Sequence, residues 1–306
     1  MTRVPLDRLK SGLPATWYYD PQHYARELET IWNRQWVAVC REEEIPSPGD
    51  WRTVRVGTQS ILVFKETENQ TRAVHNVCRH RGSVLCPGEA GRFERKRIVC
   101  PYHSWTYDLS GQLVATPRRM ETPDFRMEDF PLFNVSTHTW GGFIFVCLEG
   151  TPPFEPPHGL ENYSLEKLRT GKRIVADVKA NWKLLCENFS ECFHCPPVHP
   201  ELCRVVTAYK EAGAWGLRGN EMVLEYKAGA QTLTLDGSSR LPPFSSLDER
   251  QKKILYIPQM HLPNLFLNVH PDYVNSHLMF PTGPESVRIV YDWLFDPAQL
   301  PLSDAD

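Results

Sequence analysis

The chain has 306 residues, 41% of them hydrophobic and 23% charged, and its 34 Lys and Arg against 37 Asp and Glu leave a net charge of -3. This is the composition of an ordinary globular protein; it excludes a disordered or collagen-like chain and lacks the basic excess by which nucleic-acid binders hold phosphate. At this length two domains, each able to bury its own core, are the expectation.

The leading segment is interrupted by Pro5 and Pro14 and carries no apolar stretch of signal-peptide kind, so a cytoplasmic protein is expected. The longest apolar run, 140–148, contains Gly141 and Gly142 and falls far short of the ~20 residues a membrane span needs. It reads as one buried strand, and no membrane partner is expected. Nine cysteines in a chain too long to need disulfide staples are expected to stay reduced in such a compartment, some of them holding metal.

Asp20 followed by Pro21 is a helix start, and Tyr24, Leu28, Ile31 and Trp32 recur at helical spacing, which predicts a helix over about 21–33. Short segments rich in Val, Thr and aromatics at 51–56, 60–64 and 71–75 then predict an all-β domain, with 106–109 and 112–115 flanking Ser110 and Gly111 as a hairpin. Four prolines within 151–157 mark a linker. The expected division is a leading helical segment over 1–35 that packs on the catalytic domain, a β domain over 36–150 and a second domain over 151–306. In the last, helices at 158–170 and 181–195 and strands at 173–179, 222–227, 230–235, 264–270, 274–280 and 286–295 give an α+β pattern with antiparallel strands.

Cys78 and His80 form a Cys-x-His pair, and after nineteen residues Cys100 and His103 form a Cys-x-x-His pair. Tetrahedral zinc sites separate their first two ligands by two or more residues, whereas a Rieske 2Fe-2S centre needs two Cys on one iron and two His on the other. The pairs meet the second demand. The segments CRHRG from Cys78 and CPYHSW from Cys100 resemble the Rieske proteins closely. Gly82 suits a tight turn, and Tyr102 and Ser104 are expected to donate hydrogen bonds toward sulfur. Pro101 follows Cys100, so the disulfide of respiratory Rieske proteins is absent and Cys86 is expected to be a buried thiol.

A second constellation lies in NWKLLCENFSECFHCPPVHPEL, from Asn181. On a continuous helix Glu187, Asn188, Glu191 and His194 would share one face, while Pro196 and Pro197 would break the helix and return His199 from a turn. Two His and a carboxylate with open positions suit non-haem Fe(II), which must admit oxygen and substrate. With the Rieske pairs, the sequence resembles the oxygenase α subunits of the Rieske non-haem iron oxygenases, a family of ring hydroxylases and N- and O-demethylases. The resemblance implies a helix-grip catalytic domain, His194 and His199 as ligands of a mononuclear Fe(II), and Glu191 as the bridge to the Rieske histidine of a neighbouring subunit in a homotrimer. It also implies a small organic substrate, O2, and an NAD(P)H-dependent reductase acting directly or through a ferredoxin.

The bridging residue is most often Asp in this family; Glu191 is the form associated with the branch that oxidises quaternary ammonium compounds, and the segment 263–281 resembles that branch as well. N-demethylation of a quaternary ammonium compound is therefore the expected reaction, with aromatic ring hydroxylation as the alternative and a Rieske electron carrier as the alternative of another class. The family's third iron ligand is an Asp on a late helix. Here the late aspartates are Asp296, Asp304 and Asp306, which read as solvated loop charge, so the iron domain reads as incomplete at its C-terminal end and no third ligand is assigned. Trp182, Phe189, Tyr209, Trp215, Tyr226 and Phe266 are available for a cation-binding cage but read as core, as do His270 and His277.

Overall fold

The computed structural model describes residues 11–117, 122–211, 217–218, 221–222 and 226–301. The chain forms two compact units, Glu27–Pro156 and, together, Met1–Arg26 with Pro157–Asp306. Among the described residues no helix is long and apolar enough to cross a membrane.

The first unit is built on a seven-stranded antiparallel sheet in the order Val37–Arg41, Phe143–Cys147, Asn134–Trp140, Gln70–His75, Gln59–Thr67, Asp50–Val56, Ala90–Arg92. Every residue of Val37–Arg41 and Phe143–Cys147 is buried, as continuous apolar runs require when both faces are covered. The run 140–148 is not one strand. Gly141 and Gly142 take φ of +57° and +76°, values open to glycine without cost, and turn the chain so that Phe143 pairs with Trp140. A small sheet of Ile98–Val99, Thr106–Tyr107 and Leu113–Ala115 completes the unit. Its turn is longer than a two-residue hairpin because the Asp108 carboxylate accepts from the backbone N–H groups of Ser110 and Gln112. In the proline-rich stretch, Phe154 packs on His138 and Phe145, and Pro152 accepts a hydrogen bond from the Trp36 indole.

The second unit carries a five-stranded antiparallel sheet in the order Arg169–Val178, Ser286–Phe295, Val274–Gly283, Leu265–Val269, Ile257–His261. The sequence reading did not include Ile257–His261, which forms the edge of the sheet and there tolerates Pro258, a residue without an N–H donor. The helix expected at 158–170 is only a 3-10 turn, Glu161–Tyr163, stopped by Ser164 in the left-handed region at φ +47°. No strand forms at 230–235: Thr232 donates to buried Asp272 and Thr234 to Asp236, side-chain bonds that replace a ladder. Of the strand expected at 222–227, Met222 belongs to the short strand Glu221–Met222 and Tyr226 bridges Val206; 223–225 lie outside the described residues.

The leading helix is Pro21–Glu27, continued by a wider π-type segment Leu28–Trp32. Upstream of it, Tyr18 donates to Glu187 at 2.5 Å and its carbonyl accepts from Asn181 at 3.0 Å. The helix Trp182–Phe189, capped by the Asn181 side chain, crosses one face of the five-stranded sheet, with Phe189 against Phe266 at 4.6 Å and His277 at 6.2 Å between ring centroids.

Candidate metal centres

Cys78 and Cys100 sit in two loops that close in the same way. The N–H of Gly82 donates to the Cys78 carbonyl and that of Cys78 to Ser83; four and five residues past Cys100, Ser104 donates to the Cys100 carbonyl and Cys100 to Trp105. The fourth residue after each Cys has positive φ, +69° at Gly82 and +59° at Ser104. Gly82 therefore stands where the tight turn needs glycine, and Ser104 adopts the same region at some cost.

The loops bring the thiols of Cys78 and Cys100, each 2% exposed, within reach of each other in the core of the unit. The imidazoles of His80 and His103 lie at the rim with ring centroids 4.8 Å apart, His80 flat against Trp105 at 4.7 Å. Among the described residues no three His, Cys, Asp or Glu side chains close into a ready-made cage for one metal; the fold gathers pairs. Pairs are what a 2Fe-2S centre asks for, since one iron takes the two sulfurs and the other the two imidazoles, so these residues fit that cluster.

The hydroxyl directed at sulfur belongs to Tyr107, which lies 3.3 Å from the Cys78 sulfur and accepts the Arg79 N–H at 3.1 Å. This corrects the expectation for Tyr102 and Ser104. The Tyr102 ring is 62% exposed and stacks on His103, and among the described residues the Ser104 side chain donates to no sulfur. Burial pushes the Tyr107 hydroxyl up, so it remains a donor. Cys86 is a buried free thiol, pushed up to about 12 by burial.

In the second unit the helix stops at Phe189, six residues earlier than expected, with Ser190 as its C-cap. Glu187 and Asn188 are helical; Glu191 and His194 lie beyond it, so the four do not share a helix face. The Ser190 N–H divides between the Cys186 and Glu187 carbonyls, which tightens the last turn, and its hydroxyl also donates to the Cys186 carbonyl at 2.7 Å. Glu187 is engaged by Tyr18, whose own hydroxyl is thereby pushed up to about 12. The two prolines lie in the first turn of a short helix, Cys195–Val198, instead of breaking one, because the N–H groups of a first turn have no intrahelical acceptor.

That turn sets the pair. His194 precedes it and His199 follows it, with ring centroids 5.3 Å apart. Glu191 accepts from His194 Nδ1 at 2.7 Å and from the Phe193 N–H. Burial alone would raise the Glu191 carboxyl, but these two bonds hold it below the ordinary range. With Nδ1 committed to the carboxylate, Nε2 of His194 is the nitrogen left for a metal, the usual second contact of a ligating histidine. The two imidazoles fit a mononuclear iron that leaves several positions open. Asp296 does not join them: its side chain caps Pro297–Gln299 through the Ala298 N–H. Asp304 and Asp306 lie outside the described residues.

Cys192 and Cys195, flanking Phe193 and His194, are joined in a disulfide with Cα atoms 5.0 Å apart. The expectation of uniformly reduced cysteines fails here because the turn over Phe193 and His194, closed by the Cys195 N–H on the Cys192 carbonyl at 3.1 Å, brings residues three apart into bonding range; the other seven are free thiols.

Of the aromatics considered for a cage, Trp182, Tyr209 and Phe266 are buried core and Trp215 lies outside the described residues. The sequence reading missed Tyr273, Trp293 and Phe295, which line a cleft of about 550 Å³ together with Asp236, Arg240 and Asp272. Hydrogen bonds from the Ser238 hydroxyl and N–H hold the Asp236 carboxyl at about 2, so it is ionised. The alternation of Tyr291, Trp293 and Phe295 along one strand was the available signal.

Residues 35–126 match the model of the Rieske [2Fe-2S] domain, and residues 165–305 match that of the ring hydroxylating alpha subunit catalytic domain. The oxygenase subunit of glycine betaine monooxygenase from Chromohalobacter salexigens is 31% identical over 326 residues, covering 92% of this chain and 71% of the relative. The carnitine monooxygenase oxygenase subunit of Acinetobacter baumannii is 26% identical, covering 96% and 78%. Among solved structures, the quaternary ammonium Rieske monooxygenase CntA in complex with gamma-butyrobetaine superposes with a TM-score of 0.70 at 23% identity, over 94% of this chain and 76% of that one. Naphthalene 1,2-dioxygenase from Rhodococcus gives 0.69 at 21%, over 93% and 73%, so the two share this fold.

Proposed function

The chain belongs to the family of Rieske-type ring-hydroxylating oxygenase α subunits, and from that premise we propose that it oxidises an N-methyl group of a quaternary ammonium compound. The observation that carries the reading is the short bond between Glu191 and His194 beside His199. A glutamate at this place is the form that the resemblance ties to quaternary ammonium substrates, and the relatives named for glycine betaine and carnitine support it. The aromatic cleft with an ionised Asp236 suits a cation in its chemistry, rings for the methyl groups and a carboxylate for the charge.

In this reading Cys78, Cys100, His80 and His103 hold the 2Fe-2S cluster, and His194 and His199 hold the iron. When bound, the two groups supply stored electrons and dioxygen activation. The protein contributes the rest. Tyr107 donates to a cluster sulfur. Glu191 orients His194 and keeps its Nδ1 occupied, and in a homotrimer its carboxylate is the link to the cluster imidazole of the adjacent subunit. Electrons come from an NAD(P)H-dependent reductase, directly or through a ferredoxin, in the cytoplasm. Hydroxylation of the N-methyl carbon yields a hemiaminal, which collapses to formaldehyde and the demethylated amine.

The test is to supply the purified chain, reductase and NADH with glycine betaine or carnitine and to measure formaldehyde and the demethylated amine against oxygen consumed. One formaldehyde per oxygen is expected. Turnover of an arene such as naphthalene without formaldehyde from either betaine would refute the proposal in favour of ring hydroxylation.

A further inference from the structure

We propose that the Cys192–Cys195 pair is a redox-active modification site, a disulfide that clamps the Glu191–His194 loop and whose reduction loosens the hold on mononuclear iron. The inference rests on the reading that His194 and His199 are the iron ligands.

Three features of the loop carry it. First, the sulfurs bracket the site: Cys192 directly follows Glu191, and Cys195 directly follows His194 and lies four residues before His199. Its carbonyl accepts the His199 N–H at 2.8 Å, so the bond ties the loop bearing one imidazole to the turn that positions the other. Second, the segment has little else to fix it. The preceding helix has ended at Phe189, and the side-chain bonds of Glu191 to Phe193 and His194 stay within the same few residues. Third, the disulfide is the anchor's root: Cys192 and Cys195 are 5% and 2% exposed in an apolar cluster with Val206 and Tyr209. Attack by an external thiol depends on access, so burial lets the bond persist in a reducing compartment and confines its reduction to times when the loop opens. Cys203 is in the same cluster as a free thiol, which makes it an internal control.

The chemistry balances with reagents of stated class. A phosphine takes oxygen from one water as the disulfide accepts two electrons and two protons, giving two thiols and a phosphine oxide. Hydrogen peroxide, the by-product when dioxygen reduction is uncoupled from substrate, reverses this: one thiolate displaces hydroxide from peroxide to give a sulfenic acid, and the second thiol displaces water from it to re-form the S–S bond.

The experiment uses the full chain with its Rieske cluster, whose visible absorption reports that the fold is intact. Protein as isolated is alkylated in denaturant without reductant and mapped by mass spectrometry; Cys192 and Cys195 are expected in one unalkylated, linked peptide and Cys203 as an alkylated one. A second sample is treated with a water-soluble phosphine, desalted without oxygen and titrated with Fe(II). Its iron affinity is expected to fall about tenfold or more, the scale seen when partners that orient metal ligands are lost. One equivalent of peroxide should restore it. Cys192→Ser and Cys195→Ser should bind iron weakly whether or not phosphine was used, and Cys203→Ser should respond as the parent does. Alkylated Cys192 and Cys195 in the untreated protein, iron affinity that reduction leaves unchanged, or loss of the response in Cys203→Ser would each overturn the clamp. If iron affinity follows the redox state while no betaine is turned over, the substrate reading falls and the clamp stands; if no iron binds in either state, both fall.

Discussion

Removing the Tyr107 hydroxyl should lower the reduction potential of the Rieske centre. The ring is fully buried, between strand partners that pair Tyr107 with Ile98 and Leu113, so Tyr107→Phe deletes one oxygen without moving the ring. That oxygen lies 3.3 Å from the Cys78 sulfur. A reduced cluster carries one more negative charge than an oxidised one, and a donor at sulfur therefore favours the reduced form. A hydrogen bond to a charged acceptor is worth about 1.5–3 kcal/mol, and if about half of it depends on the added electron, a one-electron couple shifts down by about 30–60 mV. A reductive titration followed by visible absorption or by the paramagnetic signal measures this directly. Tyr102→Phe is the comparison, because that ring is exposed and stacks on His103 without reaching sulfur, and its potential should stay near the parent value. A Tyr107→Phe protein with a normal spectrum and an unchanged potential, or an equal shift in Tyr102→Phe, would refute the reasoning.

Glu191→Ala, which strips the partner from His194 Nδ1, should reduce iron affinity or turnover about 10–100-fold while the cluster spectrum is unchanged; loss of the spectrum as well would point to misfolding. His199→Ala should lower iron from about three to about two per chain by elemental analysis, with the two cluster irons retained. Arg173 holds the fully buried Asp292 carboxylate through two bonds of 2.7 and 2.8 Å, so Arg173→Ala should cost the second unit about 3–5 kcal/mol in urea unfolding, and a cost below about 1 kcal/mol would contradict a stranded buried charge. Burial of His270, whose Nδ1 donates to the Leu255 carbonyl, lowers it from 6.5 to about 4, so between these values the unfolded chain takes up a proton that the folded one refuses. Stability should therefore fall as pH drops below 6.5, by about 2 kcal/mol at pH 5 from this group, and His270→Phe should flatten that part of the profile.

The candidate metal ligands and their pairing were legible in the sequence because metal coordination is a local demand: Cys-x-His and Cys-x-x-His must each fit one loop, and each loop here closes within five residues of its Cys. Gly82 and the glycines at 141 and 142 were visible for the same reason, although the latter mark a hairpin and not a pause in one strand. The antiparallel sheet of the second unit could be read from Leu265–Val269, Val274–Gly283 and Ser286–Phe295, which are rich in apolar, β-branched and aromatic residues. Helix ends were less legible. The apolar periodicity of the segment from Asn181 runs on past Phe189, but the Ser190 N–H is shared between the Cys186 and Glu187 carbonyls and the helix closes there, a local geometry that periodicity does not record.

By itself, then, the order of residues determined which groups can ligate metal, that they come in Cys and His pairs, and that the chain alternates a β-rich part with an α+β part, since these follow from spacing and from the side chains' own chemistry. Tertiary structure alone decided which hydroxyl faces the Cys78 sulfur, that Tyr18 claims Glu187 while Glu191 goes to His194, that Cys192 finds Cys195, and which aromatic rings line a cleft instead of a core. Tyr107, Tyr18 and the cleft rings meet partners from separate turns and strands, while Glu191 with His194 and Cys192 with Cys195 meet within one loop because the helix ends at Phe189; a donor or a ring has no preference among partners until the fold has placed them within a few ångströms.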